Sequence, residues 1–230
     1  MQRGLIAAAL LCLAAAPAPK TQSLLTARDL DPALVLPPPP AADSPQAMAE
    51  LVELRAFETR DAATEADARR DGDTKNASIF EIVLGPKFDL TQLPATAALM
   101  AIVRASEKDT VDRGKDHFRR ARPYVPDPTL KACKRNEDPP SSYPSGHTSM
   151  AFSMAETLAR LVPEKADALL ARAARYGQSR IVCEQHFRSD VSAGQMLGLL
   201  IAERLAAKPA FRTAFDKARR ELVAAGIAQR

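Results

Sequence analysis

Three groups of residues in this 230-residue chain have types and spacings suited to handling an anion. One is Pro144-Ser145-Gly146-His147, where a loop passes into a helix. Unpaired backbone N–H groups and the positive end of a helix dipole suit an anion there, and Gly146 permits close backbone approach. A capped helix start accounts for Ser145 and Gly146 equally well, so His147 needs partners from elsewhere. The second group is Ser179-Arg180, followed by His186 and Asp190. If the chain is near helical there, Asp190 can accept from one ring nitrogen of His186 and leave the other free to attack. Arg180 adds a permanent planar cation. A His and an Asp four apart also make an ordinary surface pair. The third group is Lys115 with Arg122-Pro123, two cations that mean little alone among 32 Lys and Arg. Arg119 and Arg120 lie between them and show how common such spacings are, and His117 in the same stretch is expected to face solvent.

In this order and spacing the three groups resemble the signature of the phosphatidic acid phosphatase type 2 and vanadium haloperoxidase superfamily: K-x6-RP, then PSGH, then SR-x5-H-x3-D. The context is similar to the bacterial class A nonspecific acid phosphatases. Their octapeptide GSYPSGHT stands here as Ser141 to Thr148, with Ser141 in place of the first glycine. The likeness extends to LVLPPPP from Leu34, to Val162-Pro163-Glu164 and to YGQSRIVCEQHFRSDV from Tyr176. The resemblance implies a helical phosphatase acting on small phosphomonoesters. Lys115, Arg122 and Arg180 would neutralise the equatorial phosphoryl oxygens, with Ser145 and the Gly146 N–H completing the cradle. His186 would attack phosphorus and form a phosphohistidine, Asp190 would orient it, and His147 would protonate the leaving alcohol and later activate water. Another alcohol in place of water would give phosphotransfer. The scheme needs no metal or other cofactor, favours the acidic side of neutrality, and admits phosphate or vanadate as active-site anions. A homo-oligomer is likewise a family expectation. Glu184-Gln185 and Phe187 depart from relatives, which often have Gly, another small or polar residue, and Trp. Glu184 either narrows the substrate range or, as the favoured reading, faces solvent, and Tyr143 and Phe187 are candidate aromatic platforms in a chain without Trp.

The elements that must position these residues read as helices. Ser44-Pro45 is an N-cap with proline at the first helical position, and Met48, Leu51, Val52 and Phe57 recur at helical spacing. The charged run from Arg55 to Asp73 reads as the solvated part of the same region. Leu93, Ala97, Met100, Ile102 and Val103 mark a helix running toward Lys115, ended by Pro123, Pro126 and Pro128. Met150, Met154, Leu158 and Leu161 mark one starting near Ser145. Pro163 opens the next, with Leu169, Leu170 and Ala173 leading toward Arg180. Ser189 is a candidate N-cap for a helix with Val191, Met196, Leu200 and Leu205, and Phe211, Phe215 and Leu222 outline the last. Few segments alternate with strand period. The expected fold class is all-α, a single-domain helical bundle over residues 44–230.

Eighteen prolines against nine glycines fit helices with proline-punctuated joints, and 46% apolar residues suffice for one core. A net charge of +4 with interleaved signs argues against a nucleic-acid-binding role. Met1 to Ala18, with Arg3 ahead of an apolar run from Leu5 to Ala16, reads as a secretory signal, too short for a stable membrane span. Residues 19–43 read as an extended, Pro-rich surface strap. An exported, periplasmic protein would retain Cys133 and Cys183 once Cys12 is removed, an even pair that admits one disulfide or two buried thiols. No zinc ligand set is present. Missing membrane helices disfavour a lipid phosphate phosphatase. The other functional readings are a vanadium-dependent haloperoxidase and an oxyanion-binding protein without turnover, the latter giving His147, His186 and Asp190 no role.

Overall fold

The computed structural model of the chain describes residues 21–135 and 141–229; the expected leader and Cys12 lie outside them. In chain order the helices are α1 (Pro32–Val35), α2 (Pro45–Arg55), α3 (Ala62–Asp73), α4 (Glu81–Leu84), α5 (Pro94–Phe118), α6 (Gly146–Leu161), α7 (Ala166–Val182), α8 (Arg188–Ala206) and α9 (Pro209–Ala224). No strand occurs among the described residues, so the fold is all-α. Local chemistry sets the helix starts. Ser44, Asp61 and Ser145 each accept a backbone N–H of the first turn of α2, α3 and α6, and Pro45, Pro94 and Pro209 occupy first helical positions where no N–H is needed.

The centre is α6, whose sequence of Met, Ala, Phe, Leu and small hydroxyl residues is buried almost all round. It packs against α8, α7 and α5, while α9 covers α5 and α3 lies on α7. The α6–α8 contact is backbone on backbone. A Cβ on Gly194 would stand 2.6 Å from the Ser145 carbonyl oxygen, and one on Gly198 would stand 2.6 Å from that of Ser149. Two glycines four apart therefore let α8 lie directly on α6. The Ser145 N–H donates to the Asp190 carbonyl at 3.0 Å, so the starts of α6 and α8 are locked together. That contact sets the PSGH loop beside the His186–Asp190 segment.

Several sequence expectations need correction. The helix from Ser44 forms, but Met48 and Val52 are exposed, and α2 buries Ala47, Glu50 and Leu54 instead. Glu50 faces inward because Arg120 and the Ser189 N–H bind its carboxylate. The run from Arg55 to Asp73 is not one solvated extension. The helix breaks after Arg55, α3 begins separately, and Arg60 and Asp71 turn inward to bind partners. The Pro-rich strap is not merely superficial, since Leu25, Leu30 and Leu36 belong to the main core and α1 forms one helical turn. Ser189 does not cap α8: the helix starts at Arg188, and the Asp190 carboxylate reaches back to the Phe187 N–H at 2.8 Å.

Candidate active site

Four helix ends meet at one place: the last turns of α5 and α7, which carry Lys115 and Arg180, and the first turns of α6 and α8, which carry His147 and Asp190. A cavity of about 980 Å³ opens there, walled by Lys115, Arg122, Gly146 and His147. A smaller recess of about 190 Å³ shares Arg122 and His147 and adds Arg180 and Gln185. Ser145 is buried behind the cradle, where its Oγ accepts from the Thr148 hydroxyl at 3.0 Å. A Cβ on Gly146 would lie 3.7 Å from Lys115 Nζ. The Gly146 backbone therefore lies beside the Lys115 ammonium.

His186 is fully enclosed in the turn between α7 and α8. Arg122 Nη1 lies 3.1 Å from its Nε2 and 2.9 Å from the Gln185 carbonyl oxygen. A guanidinium can only donate, so Nε2 presents its lone pair and Nδ1 carries the proton. Nδ1 is 3.5 Å from Asp190 Oδ2, and the Ser142 backbone also hydrogen-bonds the ring. Asp190 itself accepts from Ser142 Oγ at 2.6 Å and pairs with Arg120 at 2.7 Å. The expected His–Asp contact is thus a long one inside a network. His147 Nε2 donates to the Gly72 carbonyl at 3.0 Å, and its ring stacks on Tyr176.

The PAP2 superfamily pattern matches residues 90–213, more than half the chain and the whole of this constellation. The chain belongs to the PAP2 superfamily. It is 34% identical to an acid phosphatase of Zymomonas mobilis over 84% of this chain and 75% of that protein. It is 31% identical to a non-specific acid phosphatase of Salmonella typhi over 81% and 78%, and 29% identical to one of Providencia stuartii over 88% and 85%.

Buried cations dominate the electrostatics around these residues. Burial first, then Arg122, Arg180 and Lys115, holds His186 well below its ordinary value of 6.5. Burial first, then Arg180 and His186, does the same to His147 against the opposing Gly72 hydrogen bond. Burial and Arg122 lower Lys115, and burial brings even Arg180 down to about 10. Both histidines are therefore neutral in the anion-free protein. A His whose pKa is depressed on folding contributes stability that is complete above its unfolded value and fades as pH falls toward the folded one. The anion-free protein should lose stability below about pH 6.5, and a bound dianion should reverse the part due to His147 by stabilising its imidazolium. Thermal unfolding with and without sulfate tests this: the sulfate-induced rise in Tm should be larger at about pH 5 than at about pH 8. An equal rise at both would contradict it.

Sequence reasoning missed several residues of this PAP2 site. Arg120, set aside as a chance basic residue, joins Asp190 to Glu50 and lies over the Phe187 ring at 4.0 Å. Ser142 supports Asp190, and Gly72 lets the Arg180 guanidinium lie against the C-terminal turn of α3, whose carbonyl end favours cations. The octapeptide pointed to Ser142; nothing local pointed to Gly72 or Glu50. Glu184 is buried rather than solvent-facing, with Arg60 Nη1 at 2.5 Å. Its φ of +52° lies in the left-handed region, which explains on backbone grounds why glycine suits this position. Tyr143 and Phe187 are both buried, Tyr143 donating to the Pro37 carbonyl at 2.5 Å, so neither offers a ring to substrate. His117 is exposed. Cys133 and Cys183 are joined by a disulfide that ties the loop after Arg122 to the end of α7, three residues before His186.

Proposed function

We infer that this chain, an acid phosphatase like the relatives it matches, hydrolyses small phosphomonoesters through a phosphohistidine at His186. One arrangement supports this: the buried, neutral His186 presents its Nε2 lone pair to Arg122, whose guanidinium lines both the cavity walled by Lys115 and Gly146 and the recess that Arg180 enters. Those three cations and the Gly146 N–H hold the phosphoryl oxygens, Ser145 supports the cradle, and the field stabilises charge that grows in the transition state. His186 Nε2 forms a bond to phosphorus as the ester P–O bond breaks in line. The departing oxygen takes a proton from His147, whose imidazolium the bound anion favours. Water then gives a proton to His147 and attacks the phosphohistidine, releasing phosphate. An alcohol in place of water yields a new ester, which is the phosphotransferase side of the same chemistry. Asp190, held by Arg120 and Ser142, keeps the Nδ1 proton in place and with it the tautomer.

Protein cations supply the charge that a metal supplies elsewhere, so no cofactor is required. The Met1–Ala18 pattern and the Cys133–Cys183 bond support export to the periplasm, with residues 19–43 as a strap on the 44–230 domain. Among the described residues no helix is long and apolar enough to cross a membrane. A homo-oligomer remains the expectation that the family resemblance carries. The testing experiment is hydrolysis of p-nitrophenyl phosphate by the mature protein across acid and neutral pH in excess EDTA. Turnover should persist and peak on the acid side. Loss of turnover with the chelator, or its replacement by vanadate-dependent bromide oxidation, would overturn this scheme.

A further inference from the structure

Glu107 has no part in the mechanism above, yet it lies in the same cavity. It sits on α5 two turns before Lys115 and is fully buried. One carboxylate oxygen pairs with Arg104, while Oε1 has no hydrogen-bond partner. That oxygen is aimed at the cradle: a Cβ on Gly146 would stand 3.8 Å from Glu107 Oε1 and 3.7 Å from Lys115 Nζ. A buried carboxylate oxygen without a donor is costly, and its cost rises when a phosphoryl dianion arrives beside it. A neutral carboxyl in the same position becomes a donor to that anion.

We propose that Glu107 is a proton-linked member of the anion site: the phosphoryl group binds against its neutral carboxyl, which donates a hydrogen bond from Oε1, and the ionised form excludes the anion. The proton comes from solvent on binding. The proposal rests on the anion cradle of Lys115, Arg122, Arg180 and Gly146. Charged and titratable groups around Glu107 are Arg104, Lys108, Asp112 and Lys115 of α5, His147 of α6, and Lys75 and Arg122 of the flanking loops. Arg104 and Lys115 favour the ionised form and Asp112 opposes it, but burial dominates and leaves Glu107 at about 7.

Sulfate is a suitable probe, because it stays a dianion throughout this range. Its affinity is to be measured calorimetrically from about pH 5 to about pH 8 for the wild type, Glu107→Gln and Arg104→Met. Glutamine mimics the neutral acid. A site that binds only the neutral form loses about tenfold in affinity one pH unit above its pKa, so Glu107→Gln should bind about tenfold tighter than wild type at about pH 8 and equally at about pH 5. Arg104→Met removes a cation that favours ionisation and should move the break in the wild-type curve to higher pH. Its direction decides the question even if Glu107→Gln fails to fold. Parallel curves for wild type and Glu107→Gln, or no upward move in Arg104→Met, would overturn the proposal and leave the phosphatase scheme intact. Failure of wild type to bind sulfate even at about pH 5 would overturn the cradle as well.

Discussion

Alanine in place of His186 should lower p-nitrophenyl phosphate turnover by about 10⁴-fold or more, the scale seen when a covalent nucleophile is removed. No neighbour can take over the role. Ser142 Oγ is committed to Asp190 at 2.6 Å, and the Ser145 hydroxyl is buried against Thr148. Sulfate binding should survive, because Lys115, Arg122 and Arg180 remain in place and the variant sheds no cation. The loss should therefore appear in kcat far more than in anion affinity, which a non-catalytic oxyanion binder would not show. The space left by the ring adjoins Arg122, which lines the cavity, so added imidazole should restore part of the turnover. Rate measurements on folded variant, with and without imidazole, check both points. Retention of more than about a hundredth of the wild-type rate would mean that His186 is not the nucleophile.

Arg180→Met should cost about 10³-fold in kcat/KM without a matching loss of stability. Arg180 is buried, its Nε has no hydrogen-bond partner, and no ion pair to it occurs among the described residues. A buried cation in that state destabilises the anion-free fold, and an apolar side chain of similar length relieves the cost. The same cation is worth most when charge spreads over the phosphoryl oxygens in a dry site. Activity and stability should accordingly move in opposite directions. Kinetics at acid pH together with thermal unfolding in phosphate-free buffer test this. A variant that loses stability and activity together would show that Arg180 is a structural residue instead.

The parts of the fold that were legible in the sequence are those with local causes. Ser44 with Pro45 marked α2, a capped start at Ser145 marked α6, apolar spacing marked α5 and α9, and the three motifs marked Lys115, Arg122, His147, Arg180, His186 and Asp190. What was hidden depends on contacts distant in sequence. The apolar period of α2 pointed to Met48 and Val52, but the face turned inward carries Glu50, because its carboxylate meets Arg120 and the start of α8. Glu184 read as solvated because its partner Arg60 is 124 residues away, on a segment that read as surface charge. Asp190 was expected to serve His186 alone, yet it also caps α8 and anchors Arg120, so its spacing from His186 reports helix geometry as much as chemistry. Gly72 carried no local signal, since its role is the room it leaves for the Arg180 guanidinium.

The central claim is a covalent bond between His186 and phosphorus. Wild-type protein mixed with a phosphomonoester at acid pH, quenched in alkali during turnover and digested for mass mapping, puts that claim to the test directly. One added phosphoryl group is expected on the peptide containing His186, absent from His186→Ala and diminished when an alcohol acceptor is present. Phosphoryl label on His147 or on a serine, or steady turnover with no labelled peptide at any quench time, would contradict it.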